Sequence, residues 1–438
     1  MAQPNRSSRR GWLIFAGLLV ALTLVATVLN ARSDEGLLPY NKGELRVYTL
    51  AADRMLAGEE IYRPEDEKPF TYPPAMAVPF MPLASLPQYA HRPVWYATNT
   101  ALLAFVLLLL HRLLKLCAPL RQGRGPALWV FWALTIGLSA RHVHAVFENQ
   151  SNDLLVFGFV MAGVYASCVH REKSSGVAAG FGAACKATPL LFLPMFLWQR
   201  RYAAALFVGL GAVAVVLLVD LVFPRQGGGL WITSWYETFL AGIDPVGGTS
   251  GGVGNAWATW NILNQNLSGS LYRLFTLVEV PSDNVWDVSV FHLDRGVLKV
   301  LTFAAQLGVV GLIWWGTLPR RSRDLSGARL VYRRLGEAGA VVSGMVLLSP
   351  MSSKSHFCVL LIPIAFCCWE FLYRRRSLAV AGALLVLLAG FLTTKGILGR
   401  EVGNEVLARG SVALCALAAL GATVRVLSRP PEESGPED

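Results

Sequence analysis

The sequence predicts an all-α polytopic membrane protein with about ten transmembrane helices, one re-entrant or broken helical hairpin, and two structured outer loops. Three observations predict it. Apolar stretches close to 20 residues long recur along the whole 438-residue chain, the length that crosses a bilayer core. Lys and Arg gather at alternate ends of those stretches, near Arg10, Arg112, Arg171, Arg201, Arg320, Arg374 and Arg425. The two longest polar loops, roughly 31–92 and 224–296, carry more acid than base.

Composition agrees. The chain is 54% hydrophobic and 15% charged, with a mean hydropathy of +0.47, whereas soluble domains carry about 25% charge. Its net charge of +11 comes from 39 basic and 28 acidic residues. The positive-inside rule accounts for that excess. No polar segment interleaves basic residues with aromatics, so nucleic acid is not an expected partner. None of the seven cysteines lies in a long outer loop, so neither a disulfide framework nor a Cys-x-x-Cys metal site is expected. Adjacent Cys367 and Cys368 read as lipid-facing or packing residues.

The expected spans are 11–30, 94–112, 126–145, 153–170, 201–223, 297–318, 337–350, 356–373, 377–395 and 405–427. The first lacks a small-residue cleavage site and reads as an uncleaved span. Arg6, Arg9 and Arg10 hold its start inside, and ten crossings put both termini in the cytoplasm. The loop 319–334 holds Arg320, Arg321, Arg323, Arg329, Arg333 and Arg334 against Asp324, a cytoplasmic signature. The organisation that follows is a first helix in 1–30, an outer loop over 31–93, and a bundle over 94–223. A second outer loop covers 224–296, a C-terminal bundle 297–427, and a disordered cytoplasmic tail 428–438. The site would face the periplasm or exterior of a plasma or inner membrane.

Residues 175–198 are apolar but have basic residues at both ends, Arg171 and Lys173, then Arg200 and Arg201. A single crossing would strand one flank outside. A broken or re-entrant hairpin with Lys186 near its tip satisfies both. Lys186 is then either paired and functional or snorkelling from a shifted boundary. The two halves show no inverted repeat, and GGTSGGVGN at 247–255 lacks the GK[ST] of a phosphate loop.

In the first outer loop, Tyr48, Ala51, Ala52 and Met55 share one face of a helix over 44–57 that Gly58 would stop. Tyr72-Pro73-Pro74 opens a stiff segment, and MAVPFMPLASLP is apolar enough to lie at a membrane interface. Glu44, at the helix start, suits a general base for a sugar hydroxyl or an ordinary helix-start acid. Asp34, Glu35 and Asp53 compete for that role. A second cluster, His142, His144, Glu148, Asn149, Gln150, Asn152 and Asp153, reads as a polar rim. His-x-His without a third ligand does not make a metal site. Asn261, Asn264, Gln265, Asn266 and Arg273, beside Trp257 and Trp260, offer a sugar's donors and aromatic faces, with Arg273 able to clamp a phosphate. Lys354 and His356 bring a cation and a proton donor to the depth of a lipid phosphate.

The order of these elements resembles glycosyltransferase family 87, the polyprenol-phosphate-mannose-dependent transferases with a GT-C fold. The resemblance covers about residues 40–365. It rests on Glu44 with Tyr48, Gly58 with Tyr62, Tyr72-Pro73-Pro74, and the stretch from Pro82 to Pro87. It continues through Asn149-Gln150-Ser151-Asn152, Lys186-Ala187-Thr188-Pro189, Asn264-Gln265-Asn266-Leu267 with Arg273, and Ser349-Pro350 through His356. The family usually has Asp where Glu44 stands, and Trp and His where Ser353 and Ser355 stand.

The resemblance implies an integral-membrane enzyme that moves a hexose, mannose first, from a polyprenyl-phosphate donor to a lipid-linked or cell-envelope glycan. Glu44 would be the base and the reaction would invert the anomeric carbon. Arg273, Lys354 and Lys186 would neutralise the departing phosphate, and His356 would orient or protonate it. Tyr48, Tyr72, Gln150, Asn152, Asn264 and Gln265 would line the sugar or acceptor site. No cofactor or metal is implied. A transporter or flippase, and a non-catalytic family member, are the alternatives.

Overall fold

A computed structural model describes residues 43–122, 125–243, 259–276, 286–322, 324–374 and 377–429. The expected first span, Asp34, Glu35, the glycine-rich run, Trp257 and most of the tail lie outside the described residues. Among the described residues the regular structure is helical throughout.

Helix α1 (Leu45–Leu56) is followed by short helical turns at Pro74–Met76, Val78–Phe80 and Met81–Ala84. The bundle then runs through α2 (Gln88–Leu116), α3 (Leu128–Asn149), α4 (Asp153–Cys168), α5 (Glu172–Cys185), α6 (Phe192–Trp198) and α7 (Tyr202–Val222). After α8 (Leu267–Phe275) come α9 (Arg295–Gly316), α10 (Gly327–Leu348), α11 (Leu361–Tyr373), α12 (Leu378–Leu392), α13 (Arg400–Ala408) and α14 (Ser411–Leu427).

Five stretches are long and apolar enough to cross a membrane: α2, α3, α7, Arg295–Arg321 and Lys354–Tyr373. The pair α13 and α14, bent by 53°, makes a sixth if taken as one span. Gly410, at φ +81°, supplies the left-handed residue at that bend. The expected spans at 153–170 and 377–395 appear as the shorter apolar helices α4 and α12. On α7, Leu206, Leu210, Val213, Leu217 and Leu221 are exposed, as are Val300, Phe303, Leu307 and Val310 on α9. A 21-residue helix is about 31 Å long, so these apolar stripes face lipid. By contrast α10 and α11 are buried on nearly every side, as apolar central helices are.

Helix α10 begins ten residues before the expected span at 337. Much of the expected basic loop 319–334 is therefore its first turns. Arg333 can be helical and buried because it bonds Glu337 at 2.7 Å, the carbonyl of Leu427 at 2.5 Å, and the carbonyl of Gly316. Cys367 and Cys368 are fully buried packing residues rather than lipid-facing ones.

The hairpin over 175–198 is present. Helix α5 stops where Lys186 turns extended (φ −156°, ψ 120°), and a turn at Thr188–Leu191 leads into α6. Its two ends meet, because Arg201 Nε donates to Glu172 Oε2 at 2.8 Å. Helix α5 packs along α7 through Gly176 and Gly180, the small-x-x-x-small pattern that lets helices approach closely. A Cβ on Gly180 would sit 2.6 Å from the Val208 carbonyl.

A second core holds the 45–84 segment on the tips of α5 and α7. Tyr48, Ala52, Met55, Phe80 and Trp231 pack with Cys185 and Val219. Glu60 ties the assembly down, accepting from Arg225 at 2.5 Å and Ser234 at 3.0 Å. This packing brings the start of α1 to the junction of α3, α4 and the hairpin.

Candidate active site

Glu44 occupies the N-cap of α1. Gly43 before it has φ +90°, and a Cβ there would meet the Asn149 carbonyl at 3.1 Å. Only glycine enters this corner without strain. The backbone N–H of Glu44 donates to that carbonyl at 2.9 Å. Gln150, left-handed at φ 54°, ends α3 and accepts from Trp95 Nε1 at 3.0 Å. The end of α3 therefore fixes the backbone of Glu44.

Its carboxylate Oε2 accepts from the hydroxyls of Tyr48 and Tyr72, the latter at 3.3 Å. Tyr48 lies one helical turn on, so both groups project from the same face. Tyr72 is brought in by the stiff Pro73-Pro74 corner, where Trp235 Nε1 also donates to the Thr71 carbonyl at 3.0 Å. Burial, and secondarily the charge of Asp153, push the Glu44 pKa up from 4.5. The Tyr48 bond, the Lys186 charge and the Tyr72 bond pull it part of the way back. Burial and then the Glu44 charge push both tyrosines well above 10, so they stay protonated donors.

Beyond Tyr72 lies a buried charged group. Lys186 Nζ sits 5.5 Å from the centre of the Tyr72 ring and pairs with Asp153 Oδ1 at 2.7 Å. His356 Nε2 is 3.8 Å from that same oxygen. Ser151 Oγ donates to Asp153 Oδ2 at 2.8 Å, and Ser355 also bonds Asp153. Asp153, Lys186, Thr188, Ser352 and His356 line one small pocket, closed on its apolar side by Met345, Val346 and Val359. Ser353 and Ser355 are buried, with their hydroxyls 2.8 Å apart.

Glu44, Tyr48, Tyr72, Lys186 and His356 are thus brought together. Asn152, at the N-cap of α4, is buried beside them, and neither its side-chain oxygen nor its nitrogen has a partner among the described residues. Gln150 is similar in part, since its Oε1 is buried without one.

Other candidates go elsewhere. Arg273 is expected on a donor phosphate, yet its Nε donates to the Ala408 carbonyl at 2.6 Å and its Nη1 to those of Asn261 and Asn264 at 2.8 and 2.7 Å. Buried carbonyls of a tight loop need donors, and a guanidinium supplies several from one side chain. Burial lowers its pKa to about 10, which leaves it charged at neutral pH. Asn264 and Gln265 bridge loops, and Gln265 Oε1 is buried without a partner among the described residues. Asn264 exchanges bonds with Pro350 and Ser352 at 3.2 and 3.1 Å, and Gln265 Nε2 donates to Ile262 and Leu407 at 2.6 and 3.1 Å. Lys354 turns to Glu148, 3.8 Å away, which Lys395 also approaches at 3.0 Å. His142 packs on Phe357. No group of three metal-ligating side chains occurs among the described residues.

Asp153 is the residue sequence reading left in the polar rim. Its signal was indirect, because a buried Lys such as Lys186 needs a counter-charge.

Comparison with known proteins places this geometry. A model of glycosyltransferase family 87 matches residues 70–350. A polyprenol-phosphate-mannose-dependent alpha-(1-2)-phosphatidylinositol mannoside mannosyltransferase of Mycolicibacterium smegmatis is 27% identical over 401 residues, covering 86% of this chain and 81% of the relative. The corresponding pentamannoside mannosyltransferase of that organism is 29% identical over 259 residues, covering 54% of this chain. The chain spans 60% of the length of that relative. The crystal structure of ArnT from Cupriavidus metallidurans bound to undecaprenyl phosphate covers 95% of this chain and 77% of its own, with 15% identity and a TM-score of 0.39. The helical bundle and the family match together define a multi-pass membrane glycosyltransferase. Within that class the chain belongs to glycosyltransferase family 87.

Proposed function

We propose that this protein transfers a hexose, mannose first, from a polyprenyl-phosphate donor to a lipid-linked or envelope glycan, inverting the anomeric carbon. The observation that carries the reading is the convergence of Glu44 and the Asp153–Lys186–His356 group on Tyr72, one at its hydroxyl and the other near its ring. The donors named in the M. smegmatis relatives support the lipid-phosphate sugar.

In this reaction an acceptor hydroxyl attacks the anomeric carbon while the bond from that carbon to the phosphate oxygen breaks. Glu44 takes the hydroxyl proton as the new glycosidic bond forms. A carboxylate with a raised pKa is better matched to that task than an exposed one. Tyr48 and Tyr72 aim it. Lys186 takes up the charge that grows on the departing phosphate, and His356 orients or protonates it. Asp153 holds Lys186 and His356 in place.

The arginine-rich end of the bundle, at Arg121, Arg321, Arg329 and Arg374, belongs on the cytoplasmic side under the positive-inside rule. Glu44 then faces the periplasm or exterior of the cell membrane, and 43–93 is an outer loop bearing the base. The test is transfer from labelled polyprenyl-phosphate sugars in membranes containing the protein. Label passing to a glycolipid or glycan only when the chain is present is the expected result. No transfer from any donor of this class would overturn the reading.

A further inference from the structure

Helix α10 lines the Glu44 end of the bundle with Met345 and Val346 and a second hollow with Arg329 and Arg333, about 18–26 Å away at roughly 1.5 Å per residue. This open cavity of about 280 Å³ is lined by Arg121, Arg321, Arg329, Arg333, Arg374 and Arg429, with Glu370 the carboxylate in its wall. The charges are only partly compensated. Arg333 bonds Glu337, while Arg374 and Arg429 share Glu370 at 3.2 and 3.0 Å. Subtracting those two carboxylates from the six guanidiniums leaves four positive charges.

Arg121 and Arg321 meet neutral groups. Arg121 lies over the rings of Trp369 and Tyr373 at 4.8 and 4.3 Å. Arg321 donates to the Trp315 carbonyl at 3.0 Å and Ser428 Oγ at 3.1 Å. Arg329 is exposed. Helix C-termini and membrane orientation explain why cations gather at this end. Neither explains why they converge on one hollow whose other wall is Leu120, Leu325, Val426 and Leu427. A charged floor with an apolar wall fits an anionic headgroup with its acyl chain attached.

We propose that this cavity binds a phosphate-bearing anion, held as the headgroup of an anionic membrane lipid. The site is separate from the Glu44 site, and the proposal does not depend on the reaction assigned there.

The test uses the full chain in detergent, stripped of lipid, with binding read by native mass spectrometry and by melting temperature. The probes are dioleoyl phosphatidylglycerol, dioleoyl phosphatidylcholine and inorganic phosphate. Phosphatidylglycerol should bind and raise the melting temperature, and phosphatidylcholine should not. The double variant R121Q/R329Q should bind it about thirtyfold more weakly, from about fivefold per charge lost near a lipid surface. R63Q, whose Arg63 pairs with Glu59 on the 43–93 segment, should bind as the parent does. If the double variant does not fold, R329Q alone should show the fivefold loss. Equal binding of both lipids, or an equal loss in R63Q, would overturn the site. Inorganic phosphate protecting as well as phosphatidylglycerol would overturn the lipid as its source.

Discussion

Replacing Glu44 by Gln separates chemistry from architecture. Gln keeps an oxygen that can accept from Tyr48 and Tyr72, so the corner between α1 and α3 stays satisfied. What disappears is the group that takes the proton. General-base catalysis is typically worth about 10²–10⁴ in rate, which is about 2.7–5.5 kcal/mol at roughly 1.36 kcal/mol per decade. The kcat for sugar transfer should fall by that factor, with a melting temperature close to the parent's. Glu44→Ala removes the shared acceptor of two buried phenols and leaves Tyr48 only the Tyr72 hydroxyl at 3.3 Å, so at least one hydroxyl goes unpaired, at about 1–3 kcal/mol. It should therefore lose thermal stability as well as activity.

The pH profile gives an independent readout. The base must be ionised to act. Burial first, and the Asp153 charge second, hold the Glu44 pKa above 4.5. Parental kcat/KM should therefore decline as pH falls through a value above 4.5, and the residual rate of Glu44→Gln should lack that limb. Transfer by Glu44→Gln within about threefold of the parent, far inside the range of general-base effects, with the acid limb intact, would refute the assignment.

Asp153→Asn removes the second-largest cause of the raised Glu44 pKa, so in any surviving activity the acid limb should move to lower pH. It also leaves Lys186 buried without its counter-ion, a change that commonly costs about 3–5 kcal/mol, visible as a lower melting temperature. Gly43→Ala forces a side chain into a left-handed conformation 3.1 Å from the Asn149 carbonyl. It should cost about 1–3 kcal/mol and depress kcat through a displaced Glu44. Arg273→Lys keeps the charge but cannot span Ala408, Asn261 and Asn264 together. Limited proteolysis should then show faster cleavage at 259–266, where a residue serving only a donor phosphate would leave that loop as protected as before.

Helix α1 was legible because its buried face falls at spacings of three and four, a local pattern. The hairpin was legible because two basic flanks demand the same side. The carbonyl partners of Arg273 and Arg333 were not legible, for a shared reason. An arginine's role depends on which carbonyls the fold leaves unpaired nearby, and its partners lie 135 residues away at Ala408 and 94 away at Leu427. Asp153 looked like an acid opening a helix, and only its contact with Lys186, 33 residues on, gives it another meaning. Residues whose roles are set by their own helix could be read; those set by a distant neighbour could not.

That distinction bears on how Lys186 meets a donor in the proposed reaction. An ion pair with Asp153 looks at first like a neutralised cation with nothing left for a phosphate. Lys has three donors, and one bond to Asp153 Oδ1 leaves two. Without Asp153, an ammonium in an apolar helix break would gain from reaching for water. With it, the ammonium is held 5.5 Å from the centre of the Tyr72 ring, whose hydroxyl bonds Glu44. In the proposed reaction the pairing is therefore what makes Lys186 usable, since it fixes the amine near the face of Tyr72 for the leaving phosphate while Glu44, at the hydroxyl of the same ring, receives the proton.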